Sequence, residues 1–360
     1  MKPFRTGFLA AVFAGAFITA VQADTFVYVG NADSNDIHVL KLNTANGDLS
    51  PVQVAAFPGI TKAGPSTPLA VSPDKKHLYA GVRSDPFTAV GFAIDSATGR
   101  LQHTANGPLA DSMAYIATDR TGKHLFSASF GGNKVAVNPI SPAGRVQAPK
   151  QVIATGPNAH AILPSKDNKY VFATNMGSDA VLQFTFDATA GTLFANTPAA
   201  IDTPDKTGPR HLVFHPNNKY AYVITELSGD VIAYNYDAKA GTLKAFQTVS
   251  LMPPGGAKPW AAELRITADG RYIYGTERTT STITGFRVDA TSGKLTRIDT
   301  VPTQKQPRGM GIDPGSKYVF AVGEQSHALT AYRIDGGKLV ALKEYPVGRK
   351  PNWIEVIDFR

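Results

Sequence analysis

Short segments rich in Val, Ile, Tyr and Phe alternate along this chain with polar turns marked by Asp, Asn, Pro and Gly. Runs such as Thr25-Phe26-Val27-Tyr28-Val29 are too short for helices. They carry the β-branched and aromatic residues that suit a pleated surface, so they predict strands. One phrase returns six times: an aromatic or aliphatic strand end, an acidic or amide turn, a glycine, one residue, then leucine. The copies end in Gly47-Asp48-Leu49, Gly99-Arg100-Leu101, Gly191-Thr192-Leu193, Gly241-Thr242-Leu243, Gly293-Lys294-Leu295 and Gly337-Lys338-Leu339. The Asp or Asn holds the turn through neighbouring backbone, and Gly supplies the positive φ that folds the next strand back.

A second anchor sets the count. Aromatic strand ends fall at Tyr28, Tyr79, Phe126, Phe172, Tyr222, Tyr274 and Phe320, spaced 46 to 52 residues apart. That period holds about four short strands, the content of one propeller blade. Seven anchors predict an all-β, seven-bladed propeller of four-stranded antiparallel blades. The ends close it: Trp353-Ile354-Glu355-Val356-Ile357 reads as an innermost strand with nothing after it, and Thr25 to Val29 as a second strand with nothing before it. Pairing the two completes one blade and leaves no open seam.

Residues 1–23 stand apart. Lys2 and Arg5 precede an apolar stretch from Phe8 to Val21, and Val21-Gln22-Ala23 is a small-x-small cleavage signal, so a cleaved secretory leader is expected. The mature chain, 24–360, is then a single propeller domain in a periplasmic or extracellular space, with no membrane span. Removing Lys2 and Arg5 lowers the formal charge of +8 to +6. That modest excess, with no basic run interleaved with aromatics, suits a small anionic ligand and excludes nucleic acid as a partner. The chain has no cysteine, and a large propeller core needs no disulfide. A monomer is expected.

The repeat register locates candidate chemistry. Twelve residues before each anchor lies the mouth of the innermost strand: Thr67, Ala114, His160, Arg210, Ala262 and Arg308, with His211 and Glu263 one step further in. Four residues after each anchor lies the loop joining the second and third strands: Arg83, Phe130, Met176, Glu226, Arg278 and Glu324. Both loop sets open on one face, so a single channel mouth gathers most of these ionisable groups, where propeller ligands sit. His215 occupies a turn position held by Ser or Asp in other blades and reads as structural. His211 and His215 lack a third ligand, and no metalloprotease, nucleophile-elbow or phosphate-loop motif is present. Gly309-x-Gly311 lies within a strand, which rejects a dinucleotide fingerprint. No metal and no cofactor are expected.

The stretches Gly208-Pro209-Arg210-His211-Leu212-Val213-Phe214-His215-Pro216-Asn217, Trp260-Ala261-Ala262-Glu263-Leu264, Glu277-Arg278-Thr279 and Gln306-Pro307-Arg308-Gly309 carry a resemblance. With them the chain resembles the seven-bladed propeller lactonases, the family of bacterial 6-phosphogluconolactonase and fungal carboxymuconate cycloisomerase. The resemblance covers essentially the whole mature chain. It implies a lactone hydrolase, with His160, Arg210, Glu226 and Arg278 as catalytic residues. His211, Glu263 and Arg308 are the expected substrate contacts, on a small anionic lactone. Either Glu226 or His160 fills the role of base, and the guanidinium forks hold anionic oxygens. Rim residues such as Arg210 and Glu226 are expected to meet across sixteen residues of sequence and to carry little of the blade packing. A non-catalytic propeller binding a protein or carbohydrate, or a cycloisomerase of the same family, are the alternatives.

Overall fold

The structure, a computed structural model, describes residues 1, 3, 24–252 and 255–359. Apart from Met1 and Pro3, the expected leader lies outside the described residues. The described chain folds into seven four-stranded antiparallel sheets. Blade one is built from both ends of the chain: Pro351–Phe359 innermost, then Asp24–Asn31, Asp36–Leu42 and Leu49–Ala56. Tyr28 lies opposite Glu355 and Val29 opposite Ile354 across the closing pair. The innermost strands of the other six blades are Leu69–Val71, Met113–Thr118, Ala159–Pro164, Pro209–Phe214, Ala261–Ile266 and Pro307–Ile312. Each packs on the innermost strand of the next blade in cyclic order, so the seven enclose a central channel.

All seven aromatic anchors sit in second strands, though inside them rather than at their ends. They are buried in apolar clusters formed by neighbouring blades. One joins Tyr222, Ile224 and Val231 of blade five to Leu264, Ile273 and Phe286 of blade six. Burying a side chain of this size stabilises by roughly 1.5–3 kcal/mol.

The recurring glycine now has its physical reason. In every blade a positive-φ glycine between strands three and four seats on the ring that begins the second strand of the preceding blade. A Cβ at Gly241 would lie 2.0 Å from the Tyr170 ring, and at Gly293 2.5 Å from Tyr220. Gly99 on Phe26, Gly337 on Tyr272 and Gly47 on Tyr318 repeat the contact. The turn Asp works as expected: Asp237 Oδ1 accepts from the backbone N–H groups of Lys239 and Ala240. Three anchor tyrosines, Tyr28, Tyr222 and Tyr274, add a second fastening, with Tyr222 Oη donating to the Gly293 carbonyl at 2.9 Å.

Blade three is where the phrase is missing from the sequence. Its third strand, Lys134–Pro139, reaches Gln151–Ala154 through a longer connection pinned by the pair Ile140 and Val146. Gly144-Arg145-Val146 takes the place of Gly-x-Leu there, with Gly144 seated on His77. Blade four's Gly191 seats on His124. Two of the seven rings are therefore histidines. His215 behaves as a packing residue, with its Nε2 at 3.0 Å from the Gly270 carbonyl and its ring edge-on to Tyr220.

Candidate active site

One irregularity, repeated round the ring, builds the mouth. In six blades the pairing of the innermost strand with its neighbour slips by one residue near its start, at Ala114, His160, Arg210, Ala262, Arg308 and Asn352. A β-bulge opposes two residues to one and turns both toward the same side. The residue at the slip and the one after it therefore both enter the channel. This is why His160 and His211, at successive offsets in adjacent blades, lie with ring centroids 5.2 Å apart.

Arg210 and Glu226 meet as expected. Arg210 Nε donates to Glu226 Oε2 at 2.9 Å, and Arg278 Nη2 lies 2.7 Å from the same oxygen. The other oxygen, Oε1, accepts from Trp260 Nε1 at 3.1 Å, while the Arg278 guanidinium stacks over the Trp260 ring at 4.0 Å. Burial pushes the Glu226 carboxyl up, but Arg210 and Arg278 outweigh it and hold it below the usual range. Both oxygens of this carboxylate are engaged by protein donors.

Arg210 differs from the sequence expectation. It is only 2 % exposed, among the largest buried side chains of the molecule, so it does contribute to packing. The bulge is the cause, since it turns the side chain down into the channel. Arg210 Nη1 donates to the Ala262 carbonyl at 2.7 Å and to His211 Nε2 at 3.1 Å. A guanidinium only donates, so His211 Nε2 is an acceptor and its Nδ1 carries the proton, which goes to Glu263 Oε1 at 2.8 Å. Burial pushes His211 down to about 4, with Glu263 opposing and Arg210 assisting. Burial raises Glu263, yet Arg265 and His211 outweigh it and hold it near about 2.

His211 and Glu263 are thus buried and satisfied by protein partners, beneath the mouth. The chain of charge continues down the channel. Arg265 lies 3.6 Å from Glu263 and 3.5 Å from Glu355, and Trp353 Nε1 donates to Glu355 at 2.8 Å. Tyr115 packs edge-on to both His211 and Trp353, each at 5.2 Å. The rings of His160, His211, Tyr115 and Trp353 form the floor of the mouth.

His160 stands out among these rings. It is 5 % exposed, and neither ring nitrogen has a hydrogen-bond partner among the described residues. Burial, then Arg210, His211, Arg308 and Arg83, hold its pKa well below the ordinary imidazole value, so it is neutral at pH 7. Arg308 Nη1 pairs with Glu324 at 3.2 Å. Arg83 is held by hydroxyls, Nη1 to Ser66 Oγ at 2.8 Å and Nε to Ser112 Oγ at 3.3 Å. Four guanidiniums thus face two carboxylates, Glu226 and Glu324, which leaves the rim positive. Each guanidinium keeps one terminal nitrogen without a hydrogen-bond partner among the described residues. No group of three or more potential metal ligands occurs among them either.

A cavity of about 990 Å³ opens near the turns at Ser72 to His77 and Asp119 to His124. Those turns join innermost to second strands, so it lies on the face opposite the mouth. Two of its charged groups serve local structure: Asp74 accepts from Ser72 and the Lys76 backbone, and Arg120 donates to the Ser165 and Pro164 carbonyls. The chemistry concentrates at the mouth instead.

Sequence reasoning placed His160, Arg210, Glu226, Arg278 and Arg308 at this mouth. It missed Trp260, Tyr115, Trp353, Arg265 and Glu355. The signal lay in the register: Tyr115, His211, Glu263 and Trp353 share the offset one past the bulge, and Arg265 and Glu355 the offset three past it. Trp260 precedes its strand and has no offset to mark it.

A family profile described as "Lactonase, 7-bladed beta-propeller" matches residues 26–356. The chain is 38% identical over 336 residues to a 6-phosphogluconolactonase of Serratia proteamaculans, covering 92% of this chain and 98% of the relative. It is 36% identical over 333 residues to the 6-phosphogluconolactonase of an Enterobacter species, with the same coverage. The solved periplasmic gluconolactonase of Pseudomonas aeruginosa superposes with a TM-score of 0.85 at 27% identity, covering 93% of this chain and 99% of that one.

Proposed function

The chain belongs to the seven-bladed β-propeller lactonase family and is a lactone hydrolase; on that premise we propose that it opens a sugar-acid lactone at the channel mouth, without a metal, with His160 as base. The observation that carries this reading is the unpartnered, neutral imidazole of His160 among guanidiniums that keep free donors. Glu226, the other candidate base, has both oxygens committed to Arg210, Arg278 and Trp260.

In the proposed reaction His160 takes a proton from water as the water oxygen bonds to the lactone carbonyl carbon. The carbonyl oxygen becomes an oxyanion that meets the free terminal nitrogens of Arg210 and Arg278. The ring C–O bond then breaks, and the leaving oxygen takes the proton from His160. Lactone and water become a hydroxy acid, which ionises. Glu226 holds the two guanidiniums in place, while His211 and Glu263 fix Arg210 from below.

Charging His160 beside several guanidiniums is costly, and an anionic substrate offsets that cost. Its similarity to a 6-phosphogluconolactonase and to a gluconolactonase supports a six-carbon sugar-acid lactone, with or without phosphate, as the substrate class. We further propose that residues 1–23 direct export, in keeping with the periplasmic designation of the Pseudomonas neighbour, and that one ring acts as a monomer.

Acid release by the purified mature chain tests this reading on gluconolactone and its 6-phosphate. Ring opening well above the spontaneous rate, and unchanged by chelator, is the expected result. A rate no faster than spontaneous would refute the hydrolase site. Loss with chelator and recovery with a divalent ion would refute the metal-free mechanism.

A further inference from the structure

The reaction proposed above draws His160 from blade four and Arg210 from blade five, and each sits where its strand slips out of register. A bulge leaves its extra residue outside the regular ladder, so buried peptide groups beside it need other partners. At both of these bulges the partner is the same hydroxyl. Thr174 Oγ1 accepts from the backbone N–H of Ala161 at 3.0 Å and donates to the backbone carbonyl of Arg210 at 2.6 Å. The Ala161 N–H belongs to the peptide unit that leaves His160, and the Arg210 carbonyl to the unit that leaves Arg210. One fully buried side chain therefore holds the peptide plane after each residue and ties blade four to blade five between them.

The sequence shows that a bulge does not need this hydroxyl. Thr174 lies two residues past the anchor of its second strand, and the seven blades carry there Gly30, Gly81, Ala128, Thr174, Ile224, Thr276 and Val322. Blades one, three, five and seven all have the slip and have no hydroxyl at this offset. The two that carry one flank the site: Thr174 beside His160, and Thr276 beside Glu263, whose backbone N–H donates to it at 2.9 Å. Thr174 adds the bond to the next blade. Its hydroxyl has one proton to give, and the Arg210 carbonyl receives it. The base of the Arg210 side chain is thereby fixed, while Nε and Nη1 at its far end reach Glu226 and His211 at 2.9 Å and 3.1 Å.

We infer that Thr174 is a positioning residue, which sets the spacing and relative orientation of the His160 imidazole and the Arg210 guanidinium through the backbone of both. It rests on the hydrolase reading above and adds to it a neutral side chain from a second strand. Thr174 neither holds substrate nor moves a proton. Misplacement of reacting groups by about 1 Å can cost on the order of 10²-fold in rate, which is the scale such a bridge governs.

The test compares wild type, Thr174→Val and Thr174→Ser on gluconolactone. Valine keeps the shape and removes the hydroxyl; serine keeps the hydroxyl. In folded Thr174→Val, kcat should fall by about 10- to 100-fold with KM little changed, because Arg210 meets an oxyanion that forms only in the transition state. Thr174→Ser should stay close to the wild-type rate. Wild-type kcat in folded Thr174→Val, whatever its urea midpoint, would make Thr174 a packing residue only and overturn the inference. An equal fall in the valine and serine variants would overturn it too.

Nitrogen NMR of isotope-labelled histidine separates this from the hydrolase reading, because it needs no turnover. His211 Nε2 accepts from Arg210, so its resonance should move in Thr174→Val and stay in place in Thr174→Ser. That result supports the positioning role even if wild type opens no lactone, an outcome that would sink the hydrolase reading alone. An unmoved His211 signal in Thr174→Val would overturn the positioning role alone. If Thr174→Val does not fold, Thr174→Ala takes its place in both measurements, with the same results expected.

Discussion

At the scale of single residues, the site depends on which charges are spent and which are free. Glu226 is spent on two arginines and a tryptophan, whereas His160 is free. Sequence alone could bring both to the mouth but could not separate them, because Trp260 and Arg278 reach Glu226 through side-chain directions that no spacing encodes. The buried His211–Glu263 pair gives a stability prediction with a definite sign. His160 and His211 titrate below their unfolded value of 6.5. The folded state therefore binds fewer protons than the unfolded chain below that pH. The stability they contribute is complete above pH 6.5 and is lost as pH falls. His211 alone, held at about 4, implies a loss of about 3 kcal/mol by pH 4. Urea unfolding at pH 7 and pH 4 should show this drop in wild type and a smaller one in His211→Asn. Equal stability at the two pH values would contradict the buried neutral imidazoles.

At the scale of elements, the bulge and the glycine latch together explain why this sequence repeats as it does. The latch was legible as a phrase, since Gly-x-Leu recurs six times, but its partner ring lies a whole blade earlier in the sequence and emerged only in three dimensions. Blade three shows the limit of pattern reading: Val146 replaces Leu, so the seventh copy escaped notice although Gly144 does the same work. The bulge left no mark in the hydrophobic pattern. It nevertheless decides that two consecutive residues face the channel, which is why Arg210 and His211 contact each other there. Gly241→Ala should be costly, because φ is +68° there and the new methyl would sit 2.0 Å from Tyr170. A loss of about 2–4 kcal/mol is expected from the left-handed backbone and the overpacking combined. The same change at Gly59, which has positive φ but open space around it, should cost less. Similar denaturant midpoints for the two variants would contradict the latch.

At the scale of the whole molecule, seven blades closed by the pairing of the two chain ends hold the mouth residues in fixed register. His160, Arg210, Arg278, Arg308 and Arg83 come from five different blades, so no one blade carries the site. The ring was readable from anchor spacing, because each blade repeats the same packing problem, and its closure from the unmatched strands at Thr25 to Val29 and Trp353 to Ile357. The central claim is that His160 at this mouth is the base that opens a lactone. Its most direct test is the initial rate of acid release by purified wild type and His160→Asn on the same lactone, corrected for spontaneous hydrolysis. Thermal unfolding monitored alongside confirms that the variant is folded. The account predicts a fall in kcat of about 10²- to 10⁴-fold in the folded variant. A folded His160→Asn protein that opens the lactone at the wild-type rate would contradict it.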